Sequence, residues 1–239
     1  MIRELRYNLE MTFKKLSFYF MLIFITGLFS YTLVSLFNNE ATRQFLANEK
    51  IARIYIMQIY YVISLGAMIM GFFAVLQQVL LLEKESGRIE FLLSNGFSAK
   101  RFWISSIIAM WLAGEVFLTA FLSVFIALRK YYFPACPIQD ILKVFLDVSM
   151  VNMGASSLIS SIVLRIRRVA IVRFLTFISV FLISYGGNAI INTTMKKYQE
   201  HVSAALLIIS IAIGLALFVA GILLGRKIDE ETVVLTIPE

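Results

Sequence analysis

Few residues in this chain have the chemistry to catalyse a reaction or to bind a metal. The sequence holds one histidine, His201, and one cysteine, Cys136, which leaves no His-based metal centre and no internal disulfide framework. No Ser/His/Asp, Cys/His or paired-carboxylate arrangement suggests a catalytic centre. The stretch Gly221-Ile-Leu-Leu-Gly225-Arg-Lys comes nearest to a phosphate-binding loop, but its spacing is wrong for that motif. We therefore expect no catalytic residue, no metal and no cofactor in this chain.

Polar residues inside apolar runs are the remaining candidates, and Glu115 is the foremost of them. It lies about 13 residues into its run, roughly 20 Å along a helix, at a depth where an ionised carboxylate costs several kcal/mol. Two interpretations stay open: a substrate-pathway or proton-carrying residue, or a hydrogen bond between helices. Asp147 follows Lys143 by one helical turn, and we expect these two to form an ion pair. Three amides are expected to hold helices together rather than bind substrate: Gln77, Gln78 and Asn152.

The composition indicates that these residues sit in a protein surrounded by lipid. Of 239 residues, 60% are hydrophobic and 15% are charged, whereas soluble domains carry about 25% charged residues. The net charge of +7 does not indicate a nucleic-acid partner, because the basic residues form short runs between apolar stretches, as in membrane proteins. The first apolar run is too long for a typical signal peptide. We expect an all-α, polytopic membrane protein.

Six apolar runs are long enough to cross a bilayer as helices. They cover residues 17–37, 54–82, 102–128, 141–164, 174–191 and 203–224. The preceding segment, Met1 to Lys15, mixes apolar with charged residues and is predicted to be a helix in the headgroup region, with a solvated turn as the alternative. No second soluble domain is evident, so residues 1–239 are expected to form a single transmembrane domain.

The basic residues predict the orientation of these spans. With the N-terminus inside, the cytoplasmic segments hold 14 of the 22 Lys and Arg residues, and the opposite side holds 8. Basic residues are enriched in cytoplasmic loops of membrane proteins. Both termini are therefore expected in the cytoplasm.

The most informative segment connects the second and third apolar runs. It reads Glu83-Lys-Glu-Ser-Gly-Arg-Ile-Glu-Phe-Leu-Leu-Ser-Asn-Gly-Phe-Ser-Ala-Lys-Arg101. Gly87 is predicted to end the second helix, because glycine accepts the left-handed conformation of a C-cap. About two turns are predicted to follow, with Ile89, Leu92 and Leu93 on one apolar face, before the Asn95-Gly96 turn. The product is a short amphipathic helix on the cytoplasmic surface.

This segment, placed after the second of six spans, resembles the membrane subunit of a type-2 ATP-binding-cassette (ABC) exporter. The resemblance covers the whole chain in architecture and residues 83–101 in motif. In that family the motif Glu-Lys-Glu-x-Gly-x-Ile-Glu-x-Leu-Leu forms the coupling helix, which docks on the ATPase subunit. Glu83, Glu85 and Gly87 correspond by position to the end of the second helix and its stop. The docking helix corresponds to Ile89, Glu90, Leu92 and Leu93.

The sequence departs from the family pattern at two positions of the motif. Arg88 stands where the family often has threonine, and Asn95-Gly96 stands where it has proline. The loop between the fifth and sixth predicted spans is also short, which argues against a large external hairpin there. On the residues themselves, the apolar side chains of the short helix are expected to fill a groove on a partner, while Arg88 and Glu90 fix the register by charge.

The resemblance implies a permease that exports a hydrophobic or amphipathic substrate, such as a peptide, a drug or a lipid-like molecule. It further implies a homodimer or heterodimer of permease subunits in the cytoplasmic membrane. ATP and Mg²⁺ would be bound by a separate cytoplasmic ATPase subunit. The alternative is a proton-coupled carrier or channel that uses Glu115. Such carriers usually show paired halves or several intramembrane ionisable groups, and this sequence shows neither clearly.

Overall fold

The computed structural model describes residues 2–40, 49–132, 136–166, 171, 174 and 202–235. The regular secondary structure of this part of the chain is helical, as predicted. Five helices are long and apolar enough to cross a membrane: Leu16–Asn38, Ala52–Gly71, Ala99–Tyr132, Ile138–Arg165 and Ile208–Gly225. The predicted span at residues 174–191 lies, apart from Phe174, outside the described residues. An all-α, multi-pass membrane protein is therefore supported, with five of the six predicted spans described.

Two helices form the N-terminal part of the chain. Helix α1 (Ile2–Phe13) is separated from α2 (Leu16–Asn38) by a short break at Lys15, whose backbone is extended. One narrow face of α2 packs against the bundle. Its buried residues include Phe18, Ile25 and Leu33, whose spacing places them on the same side of the helix. Its other large apolar side chains are mostly exposed, which is the arrangement expected of a helix that faces lipid.

The second predicted span is one continuous helical stretch. Helix α3 (Glu49–Val75) passes into a π-helical segment (Leu76–Leu81) and a last α-helical turn, α4 (Leu82–Glu85). The stretch is about 55 Å long at 1.5 Å per residue, well beyond the roughly 30 Å of a hydrocarbon core. Its end therefore extends past the apolar layer, which is consistent with the excess length of the apolar run.

The remaining helices are a short connector, three long helices and a short C-terminal helix. They are α5 (Arg88–Ser94), α6 (Ala99–Tyr132), α7 (Ile138–Arg165), α8 (Val202–Gly225) and α9 (Glu230–Leu235). Helix α6 packs against both α3 and α7, and α7 packs closely along α8. The described bundle is therefore centred on α6 and α7.

Glycines and serines allow these helices to approach each other closely. A Cβ atom on Gly71 of α3 would lie 2.7 Å from the Cα of Gly114 in α6, and one on Gly214 of α8 would lie 2.6 Å from the carbonyl oxygen of Met150 in α7. The Ser161 hydroxyl donates to the carbonyl of Gly221 over 2.8 Å. Small residues at helix contacts are how membrane helices associate without a hydrophobic driving force.

A charged cluster joins the starts of α3 and α7. Nε of Arg53 lies 2.5 Å from Oδ2 of the buried Asp140, and Nζ of Lys143 lies 3.8 Å from its Oδ1. Among the described residues, Lys143 therefore pairs with Asp140, and the predicted ion pair with Asp147 is wrong. Asp147 lies on the buried side of α7, whereas the Lys143 side chain is half exposed and its amine lies next to Asp140, one turn earlier.

Candidate functional site

The segment that the sequence singled out forms a helix held between two glycines. Helix α4 ends at a turn in which the Gly87 amide donates to the Lys84 carbonyl over 3.3 Å, and Gly87 has a φ of 67°. Helix α5 ends in the same way, with Gly96 at a φ of 78° and its amide donating to the Leu93 carbonyl over 3.0 Å. Positive φ favours glycine. Both glycines thus lie where the sequence places the stops, and α5 is fastened to α4 and α6 by short turns.

Helix α5 turns most of its apolar face toward its own chain. Ile89 is 2% exposed, and Leu92 and Leu93 are partly buried against the hydrophobic core. Helix α9 also packs against α5. The outward side instead carries Arg88, Glu90 and Phe91, and Phe91 is 66% exposed. The aromatic side chain that sequence reasoning passed over is thus the most prominent apolar group on this surface.

The acidic residues before Gly87 differ in their surroundings. Glu83 is 1% exposed, and its Oε1 lies 3.5 Å from Nη1 of Arg88, so the two ends of the α4–α5 turn are joined by an ion pair. Tyr7 of α1 is close by, and burial together with the neighbouring Glu83 raises the pKa of its hydroxyl to about 12. Glu85 is exposed. Glu83 therefore stabilises the turn from inside, whereas Glu85 lies on the surface.

Helix α1 packs on this region with a row of polar side chains buried. Its buried side chains, Glu4, Asn8 and Thr12, are polar and recur every four residues, so they form one helical face. The Asn8 side-chain amide donates to the hydroxyls of Ser105 over 2.7 Å and Ser106 over 3.2 Å. The described contacts thus hold α1 against α6 through these polar side chains, and apolar side chains of α1 such as Leu9 and Phe13 also pack against the core. The position of α1 in the headgroup region stays a prediction.

Arg3 extends the contact between α1 and the end of α5. Its guanidinium lies 4.2 Å from the centre of the Phe97 ring and donates to the carbonyl of Gly96. Tyr7 meets the same Phe97 ring edge-on, with centroids 5.9 Å apart. A cation–π contact and an aromatic pair each contribute on the order of 1 kcal/mol. Helix α1 therefore helps to fix the position of α5.

Lys84 is a buried cation that sequence reasoning did not identify. Its side chain is 0% exposed, and Nζ donates to the carbonyls of Val163 over 2.9 Å and Ile166 over 2.6 Å, at the end of α7. Burial lowers the pKa of this amine to about 8. The last carbonyls of a helix carry partial negative charge, which offsets part of the cost of burying this ammonium group. No pattern in the sequence could show a partner 79 residues away.

The lowered pKa of Lys84 predicts how stability depends on pH. Between about pH 8 and the ordinary value of 10.5, the unfolded chain holds a proton on this amine that the folded chain has lost. The free energy of unfolding should therefore rise with pH across this window. Relative to Lys84→Met, the thermal midpoint of the wild-type protein in detergent is expected to rise by about 4–8 °C between pH 8 and pH 10, which corresponds to about 2 kcal/mol. A flat or falling difference would contradict this cause.

Glu115 forms hydrogen bonds to the neighbouring helix. Its Oε1 accepts from the Ser149 hydroxyl and from the Asn152 amide, each over 2.8 Å, and the Asn152 amide also donates to the Trp111 carbonyl over 3.1 Å. Gly114 leaves room for Asn152, since a Cβ there would lie 2.6 Å from its amide group. This geometry favours the structural interpretation of Glu115 and bears out the predicted role of Asn152. The side chains of Gln77 and Gln78 lie outside the described part of the chain.

A pair of substitutions separates hydrogen bonding from charge at Glu115. Glutamine keeps an oxygen that accepts both bonds, so Glu115→Gln should change the free energy of unfolding by less than about 1 kcal/mol. Leucine removes the acceptor shared by the part-buried Ser149 hydroxyl and the buried Asn152 amide, which costs about 1–3 kcal/mol, and should lower the thermal midpoint by several degrees. Thermal unfolding of the purified protein measures both. Equal destabilisation by the two variants would show that the carboxylate charge itself is required.

The described residues include no group of three or more His, Cys, Asp or Glu side chains that could hold a metal ion. No protein-family description, curated protein or solved structure matches this chain.

Proposed function

We propose that this chain is the membrane permease subunit of an ATP-driven ABC exporter, and that α5 is its coupling helix. The observation that supports this most is the way in which α5 is connected to the membrane helices. It is a two-turn helix tied through Gly87 and Gly96 to two long apolar helices, and it leaves Phe91 exposed with Arg88 and Glu90 beside it. A displacement of α5 by a partner must therefore move the membrane helices.

The exposed face of α5 has the features of a recognition surface for a soluble protein. An aromatic side chain that protrudes from a rigid helix is a common interface anchor, and charges of both signs beside it set the register of docking. Because Ile89 is buried, we assign the anchor to Phe91. Ile89, Leu92 and Leu93 hold the helix on the permease. In this proposal Glu83, Glu85 and Gly87 shape the turn that presents the helix.

The rest of the proposal follows the resemblance. A cytoplasmic ATPase subunit binds ATP and Mg²⁺, two permease subunits form a homodimer or a heterodimer, and the complex lies in the cytoplasmic membrane. The distribution of basic residues supports cytoplasmic termini, which places α5 on the side of the ATPase. The substrate is hydrophobic or amphipathic. The contacts of Glu115 do not favour the alternative of a proton-coupled carrier, since they account for this carboxylate as a bond between helices.

Purification from the native membrane tests this function. A tagged chain, solubilised in mild detergent, should carry with it a polypeptide that hydrolyses MgATP and is inhibited by vanadate. Proteoliposomes of the complex should then release ADP in an ATP-dependent and vanadate-sensitive reaction. If the chain is purified intact from cells that express its genomic neighbours and no ATPase activity accompanies it under any mild detergent, the proposal is wrong.

A further inference from the structure

We propose that Lys84 links movement of α5 directly to the end of α7, and through α7 to α8. This inference rests on the proposed function, because it names the internal route by which a docked ATPase moves the bundle. The turns at Gly87 and Gly96 connect α5 only to α3 and α6. The contact of Lys84 with the end of α7 adds a second pair of helices that are distant from α5 in the sequence.

The Lys84 amine bonds to the backbone at the end of α7. Nζ of Lys84 donates to the carbonyls of Val163 and Ile166, and Ile166 is the C-cap residue of α7. The last four carbonyls of a helix have no partner within the helix. A buried lysine therefore supplies donors where the helix needs them, and its charge is attracted to the negative end of the helix.

The Lys84 amine has no charged partner among the described residues. Glu83 turns toward Arg88, and Glu85 is exposed. The bonds recorded for the Lys84 amine go to backbone carbonyls. A buried ammonium that is held only by one helix end is costly unless that helix end stays in place. The position of Lys84 and the position of the end of α7 are thus linked.

Helices α7 and α8 pack so closely that a shift of α7 also shifts α8. Gly214 lies against the backbone of α7 at Met150, and the Ser161 hydroxyl bonds to the Gly221 carbonyl. Helices that meet at the distance of backbone contact shift together, because close-packed interiors do not deform continuously. Lys84 lies only three residues before Gly87, and the Glu83–Arg88 ion pair closes the turn between α4 and α5. A displacement of α5 by a docked partner therefore displaces Lys84 as well.

The first experiment measures the contact in the chain alone. The purified protein in nanodiscs is compared with Lys84→Met by hydrogen–deuterium exchange, since methionine fills similar space without donors. Amides in the last turn of α7 are expected to exchange about tenfold faster in the variant, because this turn loses its two donors. Lys100→Met, which changes an exposed lysine near α5, is the matched control and should exchange as the wild-type protein does. Unchanged exchange in Lys84→Met overturns the proposal. Lys84→Gln, which is neutral and shorter, replaces it if the methionine variant does not fold.

The second experiment uses the complex with the ATPase that co-purifies. In the wild-type complex, MgATP with vanadate is expected to change hydrogen exchange in α7 and α8. Lys84→Met should retain the ATPase, because Lys84 is buried away from the partner, yet should lose this response. A wild-type response confined to α3 and α6, or an unchanged response in the variant, overturns the route through Lys84. If no ATPase accompanies even the wild-type chain, the proposed function fails together with its route. Hydrogen–deuterium exchange in the purified chain without the ATPase still shows whether Lys84 stabilises the last turn of α7.

Discussion

Replacement of Phe91 by aspartate is expected to release the ATPase subunit while the permease remains folded. Phe91 is 66% exposed, so the substitution removes little packing within the chain. In a docked complex, however, it would place a charge in the groove that receives the ring. Loss of a central aromatic anchor costs about 2 kcal/mol or more, and a buried charge adds to this. Affinity for the ATPase should therefore fall about 100-fold or further.

Pull-down of the ATPase activity, together with thermal unfolding of the permease, measures both sides of this prediction. Tyr131 is a suitable control, because it is an equally exposed aromatic residue (78%) at the opposite end of α6. Tyr131→Asp should leave ATPase binding unchanged. Binding of Phe91→Asp at wild-type strength would show that α5 does not dock through this face.

The structure also decides which variants make poor tests of docking. Leu92 is partly buried against the core of its own chain, so Leu92→Asp would lose binding through a local disruption as readily as through a lost contact. Glu90 is exposed, and Glu90→Lys changes only the charge of the outward face. Among these positions, Phe91 and Glu90 therefore separate docking from folding.

The position of α5 could be predicted from sequence, but the direction of its apolar face could not. Gly87 and Gly96 act through local backbone geometry, which depends on the residue itself. By contrast, three apolar residues on a two-turn helix have the same spacing whether they pack on their own bundle or on a partner. Only the tertiary packing of α5, which includes its contact with α9, distinguishes these cases, and it buries Ile89 while it exposes Phe91.

Two other features were beyond sequence reasoning for a related reason. Lys84 and the end of α7 are brought together by the packing of α3 against α7, and a backbone carbonyl has no sequence signature. Helix α1 buries Asn8 because Ser105 and Ser106 lie opposite it, and serines occur throughout such chains. Spans, in contrast, depend on the length and hydrophobicity of single segments, so the described ones were predicted correctly.

The contact between α7 and α8 gives the prediction with the largest expected effect on the fold. Gly214→Val is expected to separate these helices and to destabilise the protein severely. A Cβ at this position would lie 2.6 Å from the carbonyl oxygen of Met150 and 2.9 Å from its carbonyl carbon. Both are backbone atoms, which cannot rotate away as a side chain can. Helix α8 must therefore move as a unit, which also strains the bond between Ser161 and Gly221.

Gly66→Val is the matched control for this prediction, because a Cβ at Gly66 has no atom within 4 Å. Both changes replace a helical glycine in a spanning segment by the same side chain, so effects of helix propensity and hydrophobicity cancel in the comparison. Overpacking of a close contact costs about 1–3 kcal/mol or more, so the thermal midpoint of Gly214→Val should lie about 5 °C or more below that of Gly66→Val. Size-exclusion chromatography and thermal unfolding in the same detergent measure the difference. Equal midpoints would mean that α7 and α8 do not meet at Gly214, and the route from Lys84 to α8 would then lose its last step.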